Sequence, residues 1–499
     1  MSVLISHLFV DDKFKKMSSF REKNHTTMDT KSKSDNKHLE NISKGLNKAR
    51  QYIIIVLTYF FYKLTQTIVL TFQKFTWAVT GVEKTRKDAK HGLQFKQSVH
   101  VQSIFWRRKF ISTSMADPSN FITTHKAFKH PNYILKPTVS LYCMTKDEVI
   151  FVEVPEGVDI TGTQQPRTPM YIQQFQRAHS LITMPLPAFH KIAHDLGNPR
   201  VPIIWISNTG HCGSTMLVQM FAKLPGMLVM NSPDVLTTLA FLEKNNNFEK
   251  GEYEQLLPGA IRILCKPDER ARMICVKTRP CCTIQMGDVY RNFPHIYQLY
   301  VYRNSLKTIA SSLNIFGNEE FDMLSRYILD SEVLSTVFPC FRRLLYNKYC
   351  SVLDRTPPIV DQKNMTTVSA FTIAWAANIA TCLDFVEAGV PLLPLLFEDM
   401  MRNPRRTCSV LFDHLEIRQD FVDTAMEGFK LDTSKHPNSG QSTILPESRK
   451  TIPHDFRTEA DSILKKFGLP KLGERYEIPG LADFETPKFN RDLSRDRFL

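Results

Sequence analysis

Zinc-binding cysteine pairs are missing from this sequence of 499 residues, because its ten cysteines include no CxxC pair. This absence argues against a structural zinc site. Glycine, with 19 residues, is scarcer than proline, with 28, which excludes a collagen and a glycine-rich low-complexity chain. Hydrophobic residues make up 42% of the chain and charged residues 23%, as in ordinary globular proteins. The composition therefore indicates a folded protein, and the length suits roughly two to four domains or one large α/β domain with extensions.

An acidic excess is also absent, and the basic excess is confined to one end. Residues 1–110 contain 21 Lys or Arg and 8 Asp or Glu, which gives them +13 of the total net charge of +14. Residues 111–499 are therefore close to neutral. A basic arm can meet acidic lipid or nucleic acid, or can simply be a solvated tail. Because the remainder carries no basic excess, we expect no specific nucleic-acid partner.

The N-terminal part divides into an arm, an apolar segment and a second basic stretch. Residues 1–50 are polar and predict a disordered basic arm without the apolar core of a cleavable signal peptide. Residues 51–82 predict a hydrophobic helix, in which residues 52–72 have about the length of a membrane span. Lys63 weakens that interpretation because a charge inside the bilayer is costly. A spanning anchor and an amphipathic helix on a membrane or a partner both stay open.

Residues 83–118 predict a basic linker, in which Met115 is an alternative start of translation. Because residues 111–499 are close to neutral, a chain that begins near Ala116 is expected to be soluble and to keep its ligand site. Residues 119–198 predict a small β/α accessory segment. Within it, the alternating pattern of residues 132–154 is typical of a β-hairpin, and residues 168–197 are interpreted as helical.

From residue 199 to residue 475, short apolar runs alternate with longer helical stretches. The runs are 201–206, 227–230, 272–277, 297–302 and 391–397. Apolar strands between helices indicate an α/β fold of three layers, in which a parallel sheet has helices on both faces. Ligands of such sheets bind beyond the carboxyl ends of the strands. The chemistry is therefore expected just after residues 206, 230, 277 and 302, and residues 476–499 are expected to be a C-terminal tail.

Two strand ends carry groups that suit an anionic ligand. The first run is followed by Ser207-Asn-Thr-Gly-His-Cys-Gly-Ser-Thr-Met216, in which Gly210 and Gly213 permit close approach to the backbone before a helix begins. This is not a Walker A loop, since no Lys follows Gly213. The run 297–302 is followed by Arg303, whose guanidinium suits a phosphate, and by Ser311 eight residues later.

Taken together, these segments resemble the PAPS-dependent sulfotransferase family over residues 200–470. His211-Cys-Gly-Ser-Thr-Met216 resembles the family's loop for the 5′-phosphosulfate, and Arg303 with Ser311 resembles its pair for the 3′-phosphate. A third marker of the family is a strand that ends in an acidic pair and is followed by Asn-Pro or Asp-Pro, which Phe397-Glu-Asp-Met400 and Asn403-Pro404 resemble. Val276-Lys-Thr-Arg-Pro280 resembles the strand-end K-T-H element of cytosolic members. The resemblance implies a P-loop sulfotransferase-like fold, PAPS as co-substrate and no metal.

The resemblance also implies a set of site residues. The residues implied to bind the nucleotide are Gly210, His211, Cys212, Gly213, Ser214, Thr215, Arg303 and Ser311. The sequence departs from the family at His211, where Lys or Arg is usual, and at Arg279, where cytosolic members carry their His base. Because Arg cannot accept a proton, Asp234 becomes the candidate base, although it also suits the N-terminus of a helix. Lys277 is the candidate cation for the leaving oxygen, so His211, Lys277 and Asp234 are the predicted catalytic residues.

The reaction implied by the resemblance is in-line transfer of a sulfuryl group from PAPS to a hydroxyl or amine of a small molecule or glycan. The departures at His211 and Arg279 keep a second hypothesis open, a catalytically inactive nucleotide-binding module with the same fold. A P-loop NTPase is disfavoured by the missing Walker Lys. The apolar segment predicts a membrane protein, with a single-pass Golgi protein as the first hypothesis and a cytoplasmic protein as the alternative.

Overall fold

The protein is described by a computed structural model that covers most of the chain. The described residues are 28–111, 113–161, 163–245, 251–316, 320–329, 331–350, 352–353, 365–429 and 454–484. The chain separates into two units, Met1–Phe60 and Phe61–Leu499. Residues 1–27 of the predicted arm and residues 485–499 of the predicted tail lie outside the described residues.

Two helices come first in the described chain. Helix α1 spans Met28–Val79, and α2 spans Val82–Lys90 after a turn at Gly81, which has a φ of 76°. Residues 28–50 are therefore helical, which corrects the prediction that they are disordered. The physical reason is that propagating an existing helix costs far less than nucleating one, so the helix of the apolar segment extends into the preceding polar residues.

The accessory segment contains a five-stranded antiparallel sheet. Its strands are β1 Val99–Arg107, β2 Phe121–Lys129, β3 Val139–Met144, β4 Glu148–Glu153 and β5 Ser180–Pro185, in the order β2-β1-β5-β4-β3. The antiparallel pairing of β3 with β4 confirms the predicted hairpin.

Two predictions in this region are wrong. The predicted linker of residues 83–118 contains β1, which lies between β2 and β5 in the sheet. The predicted helix of residues 168–197 is interrupted by β5, with α3 Met170–Arg177 before it and α4 Leu186–Leu196 after it. In both places the strand is specified by distant partners, because pairing across a sheet overrides local propensity.

The second half of the chain forms a five-stranded parallel sheet, which confirms the predicted sheet. Its strands are β6 Ile203–Asn208, β7 Met227–Asn231, β8 Met273–Lys277, β9 Tyr297–Tyr302 and β10 Leu393–Leu396, in the order β10-β9-β6-β8-β7. The first of these strands along the chain, β6, is central, and its neighbours are β8 and β9. The chain crosses from one side of β6 to the other between β8 and β9, and ligands of open α/β sheets bind at such a switch point.

Helices lie on both faces of this sheet, as predicted. The described helices that follow β6 are α5 Ser214–Phe221, α6 Asp234–Lys244, α7 Tyr253–Leu264, α8 Met286–Asn292, α9 Ser305–Ile315, α10 Glu320–Leu329, α11 Glu332–Val337, α12 Cys340–Tyr349, α13 Thr367–Glu387, α14 Phe397–Arg402, α15 Pro404–His414, α16 Val422–Phe429 and α17 His454–Lys466. Trp205 packs in one apolar cluster with residues of α6 and α7, whereas its neighbour Ile206 packs in another with residues of α5 and α15. Alternate residues of β6 therefore face opposite helical layers.

The core is continuous across the predicted boundary at residue 199. Phe151 of β4 and Ile182 of β5 belong to the same apolar cluster as Trp205 of β6. The backbone N–H of Met144 donates to Thr238 Oγ1 of α6 at 3.1 Å. The accessory sheet is therefore part of one folded unit with the parallel sheet.

The beginning of the predicted C-terminal tail also belongs to the fold. Ile478 is 1% exposed, and the backbone N–H of Ala482 donates to the carbonyl of Pro394 at 3.0 Å. Residues 476–484 are therefore packed against the edge strand β10.

Within the described ranges, two helical segments are long and apolar enough to cross a membrane. The first is Arg50–Val79, whose most apolar window is 11% buried, and the second is Thr367–Glu387, whose window is 72% buried. The second is a core helix, since Trp375 and Ile379 pack against Tyr300 and Tyr302 of β9. The first allows association with a membrane.

Candidate functional site

The ends of three neighbouring parallel strands bring the predicted site residues to one edge. In the sheet register Ile206 lies beside Lys277, and Asn208 lies beside Val301. Neighbouring strands are about 4.8 Å apart, so the segments that follow β6, β8 and β9 leave the sheet side by side. The loop after Asn208, Lys277 at the end of β8 and Arg303 after β9 therefore share the carboxyl edge.

The loop after β6 has a backbone shape that suits an anion. Gly210, His211 and Gly213 have φ values of 78°, 48° and 81°. Histidine is among the few residues with a side chain that adopt this left-handed region fairly often. Backbone that alternates between left- and right-handed conformations turns successive N–H groups toward one concave side, which binds anions. The first turn of α5, which starts at Ser214, adds further N–H groups.

Gly213 is required by space as well as by its backbone angle. A Cβ at this position would lie 2.3 Å from Cδ2 of Phe397, the first residue of α14. On the same phenyl ring lies the guanidinium of Arg303, whose Cζ is 4.8 Å from the ring centroid. Phe397 therefore supports both the loop and the arginine.

Arg303 is held against the loop by several contacts. Its Nη1 donates to the carbonyl of His211 at 3.3 Å, and its Nε lies 3.8 Å from a carboxylate oxygen of Glu398. The indole N–H of Trp375 donates to the carbonyl of Arg303 at 3.1 Å. Desolvation lowers the pKa of Arg303 from its usual value, and the carboxylate of Glu398 opposes this. Ser311, its predicted partner, is half-buried on α9.

Lys277 joins the ends of β7 and β8. Its Nζ donates to Oγ of Ser232 at 3.1 Å, and the backbone N–H of Ser232 donates to the carbonyl of Lys277 at 2.6 Å. Burial, together with the charge of Arg279, lowers the pKa of Lys277 to about 8. A bound anion would favour the charged form, so this amine is placed to respond to one.

The environment of Asp234 favours a structural role over the predicted role as a base. Asp234 is 0% exposed, and one of its oxygens lies 2.8 Å from Nε of Arg279 in an ion pair. The backbone N–H of Ala116 donates to the other oxygen. Arg279 also donates to the carbonyl of Thr113 at 2.9 Å and lies over the ring of Tyr171. A buried carboxylate committed to an arginine and an amide is not available to accept a proton from a substrate.

The side chains of the remaining loop residues differ in how far they are exposed to a ligand. Cys212 is fully buried, and its thiol lies 3.2 Å from the carbonyl of Val301. Burial raises the pKa of Cys212, so this side chain packs inward, and only its backbone can meet a ligand. Ser214 is 4% exposed, Thr215 is half-buried and His211 is exposed.

Sequence reasoning missed a buried amide that supports the loop from below. Nδ2 of Asn378 in α13 donates to the carbonyls of Asn208 and Pro280 at 3.3 and 2.8 Å. Its Oδ1 accepts from the hydroxyl of Tyr300 at 2.5 Å. The signal was a single amide in the apolar helix, since a buried polar side chain requires partners.

The structure defines an α/β protein with a five-stranded parallel sheet flanked by helices, at whose carboxyl edge the predicted site residues lie. No family model matches the chain, and no curated protein matches it. Among solved structures, it is similar to the crystal structure of a sulfotransferase from Alicyclobacillus acidocaldarius, with 12% identity and a TM-score of 0.28. The similarity covers 54% of this chain and 96% of that one. A likeness at this level carries no weight for function, which depends on the site geometry.

Proposed function

We propose that this protein transfers a sulfuryl group from PAPS to a hydroxyl or amine of an acceptor. The observation that carries the proposal is the convergence of the left-handed loop, Lys277 and Arg303 at the ends of three adjacent strands. Backbone N–H groups and two cations on one edge suit a ligand with more than one anionic group. PAPS has such groups at its two ends.

The proposal assigns each end of PAPS to one group of residues. The loop of residues 210–215 would hold the 5′-phosphosulfate, because its left-handed backbone at Gly210, His211 and Gly213 leads into the N-terminus of α5. Arg303 and Ser311 would hold the 3′-phosphate, as the resemblance implies. Arg303 has Glu398 as its ionic partner in this structure, so a phosphate would replace or share that partner. Ligand binding therefore competes with a weak ion pair of 3.8 Å rather than with a close one.

The chemistry needs charge stabilisation more than covalent assistance. The bond between sulfur and the bridging oxygen breaks, a bond to the acceptor oxygen or nitrogen forms, and the acceptor loses a proton to a base. Negative charge grows on the bridging oxygen, where a nearby cation stabilises the transition state more than the ground state. Lys277 and His211 are assigned to this role. Asp234 is assigned to holding Arg279, not to proton removal.

The acceptor is proposed to be a small molecule or a glycan. Localisation at a membrane, with the Golgi as the first hypothesis and the cytoplasm as the alternative, is likewise a proposal. It is supported by the exposed apolar surface of residues 50–79.

The test is transfer of label from PAPS labelled in its sulfuryl group to a panel of hydroxyl and amine acceptors. The native chain should transfer or slowly hydrolyse the label, and Lys277→Ala should reduce the rate more than it reduces nucleotide affinity. Arg418→Ala is the matched control, because Arg418 is exposed and paired with Asp420. Tight binding of adenosine 3′,5′-bisphosphate without any transfer would favour the inactive nucleotide-binding module. Tighter binding of ATP would favour an NTPase instead.

A further inference from the structure

Residues 61–79 of α1 carry a continuous exposed apolar face. Its members recur at helical spacing and are each 47–73% exposed: Phe61, Leu64, Ile68, Phe72, Phe75 and Val79. Steps of three and four residues place all six on one side of the helix. Single exposed apolar residues are ordinary, but a contiguous row of large ones marks an interaction surface.

The opposite face of the same helix is docked on the antiparallel sheet. Gln66 donates to the carbonyl of Ser119, and Gln73 donates to the carbonyl of Thr123 at 2.6 Å. Tyr62 packs edge-on against Trp106, with ring centroids 5.2 Å apart. Trp77 packs in the same way against His100 at 5.0 Å. These contacts run along the helix from Tyr62 to Trp77.

Docking on one face is incompatible with a surrounding bilayer. A helix that crosses a membrane is enclosed by lipid or by other membrane-embedded protein over its whole length. Here β1 and β2 would be drawn into the hydrocarbon together with the helix, and β2 is the edge strand of its sheet. Unpaired backbone groups of a sheet edge do not occur in lipid because each costs several kcal/mol. Only the apolar face is open to a membrane.

The charged residues near the apolar face indicate which kind of membrane it suits. Residues 41–82 contain no Asp or Glu. Lys63 and Lys74 lie on one flank of the helix, between the docked face and the apolar face, and Lys74 is exposed. Lys84 and Lys87 of α2 are exposed as well, and the same helix contains Glu83 and Asp88. Lysines beside an apolar face can bury their stems and place their ammonium groups among anionic lipid headgroups.

We infer that residues 61–79 lie flat on an anionic bilayer. The six apolar side chains enter the boundary between headgroups and acyl chains, and the flanking lysines contact lipid phosphates. Residues 61–79 thus meet the membrane from one side and do not cross it. The inference is independent of the chemistry of the sheet edge.

The test uses the full chain and preformed vesicles in a flotation assay. The native protein should float with vesicles of phosphatidylcholine that contain about 30% phosphatidylserine, and much less with phosphatidylcholine alone. Phe72→Asp with Phe75→Asp should lower the bound fraction by about tenfold or more. Val333→Asp with Val337→Asp is the matched control, since both valines are 61% exposed on α11. Lys74→Glu with Lys84→Glu should weaken binding to the phosphatidylserine vesicles only.

Three outcomes would overturn the inference. The first is no flotation of the native chain with either vesicle. The second is membrane attachment in cells that resists an alkaline carbonate wash, both for the native protein and for the variant Phe72→Asp with Phe75→Asp. That result would indicate a span. The third is a dimer in vesicle-free solution that the same double substitution abolishes, which would assign the face to a second copy. Thermal unfolding of each variant shows whether it is folded, and these exposed positions are expected to tolerate the changes.

Discussion

The two five-stranded sheets of this protein are built on different plans, and the candidate chemistry lies on one of them. Every residue of β6 and β7 is buried, whereas β2 is buried only at its first three residues. A parallel sheet brings all its strand ends, and the loops after them, to one edge. An antiparallel sheet divides its strand ends between two edges. The parallel sheet therefore gathers Lys277, Arg303 and the loop, and the antiparallel sheet carries a helix.

Besides the core that they share, the two sheets are coupled beside the candidate site. The segment between β1 and β2 supplies the Ala116 N–H to Asp234 and the Thr113 carbonyl to Arg279. The Asp234–Arg279 pair lies at the carboxyl ends of β7 and β8. The antiparallel sheet thus supports the site from the side, without contributing a predicted ligand group.

The largest effect is expected from deleting β1. A chain that starts at Ala116 lacks the strand between β2 and β5, so the backbone groups of both lose their partners. We expect it to lose cooperative thermal unfolding, which corrects the expectation from the charge pattern that such a chain stays soluble and keeps its ligand site. A chain that starts at Gly81 lacks α1 but keeps β1, and should unfold cooperatively and retain its nucleotide affinity. Cooperative unfolding of the shorter chain near the native temperature would show that the antiparallel sheet is dispensable.

The next largest effect should come from breaking the coupling itself. Asp234→Ala leaves the Arg279 charge without its buried partner, which should cost about 3–5 kcal/mol in the free energy of unfolding. Asp420→Ala breaks an exposed pair with Arg418 and should cost at most about 1 kcal/mol. Urea denaturation measures both. Unchanged stability of Asp234→Ala, together with lost sulfuryl transfer, would restore Asp234 as the base.

A smaller effect is expected where the loop meets α14. Gly213→Ala places a Cβ against Phe397 at a left-handed position, which should destabilise the fold by about 2–4 kcal/mol. Gly389→Ala is the control, because its φ is 77° and a Cβ there meets nothing within 4 Å. It should cost about 1 kcal/mol. A double variant with Phe397→Ala should recover part of the Gly213→Ala loss, and additive losses in denaturation experiments would contradict the clash.

The smallest effect concerns the charge of Lys277. Its pKa is lowered to about 8 by burial, so the amine is charged below that pH and neutral above it. Affinity for adenosine 3′,5′-bisphosphate should therefore fall as the pH rises through about 8, by at most about tenfold per pH unit. Lys277→Arg keeps its charge and should flatten the profile between about pH 7 and about pH 9. Calorimetric titration measures both profiles, and identical slopes would remove Lys277 from the ligand site.

Much of the parallel sheet could be predicted from the sequence. The run 297–302 coincides with β9, and the run 201–206 overlaps β6. Strands buried on both faces read as continuous apolar runs, which stand out between amphipathic helices. Once the strands are located, the positions of their carboxyl ends are known as well. The edge at which Arg303 and Lys277 lie could therefore be predicted from the sequence.

The antiparallel sheet and the ion pair were not predictable in the same way. Arg107 and its basic neighbours made β1 resemble a linker, because its inward face is defined only by pairing with β5. The pairing of Asp234 with Arg279 depends on β7 and β8 being neighbours, and no local pattern specifies that. Both features depend on contacts between distant segments.

Whether a nucleotide site lies at the carboxyl edge of the parallel sheet is tested most directly by calorimetry, in which adenosine 3′,5′-bisphosphate is titrated into the native chain and into Arg303→Ala. The native protein should bind the nucleotide, and Arg303→Ala should lose about 1.5–3 kcal/mol of binding free energy, the scale of a charged hydrogen bond. Arg418→Ala should bind as the native chain does. Absence of binding to the native chain, or equal affinity for Arg303→Ala, would contradict a nucleotide site at the carboxyl edge of the parallel sheet.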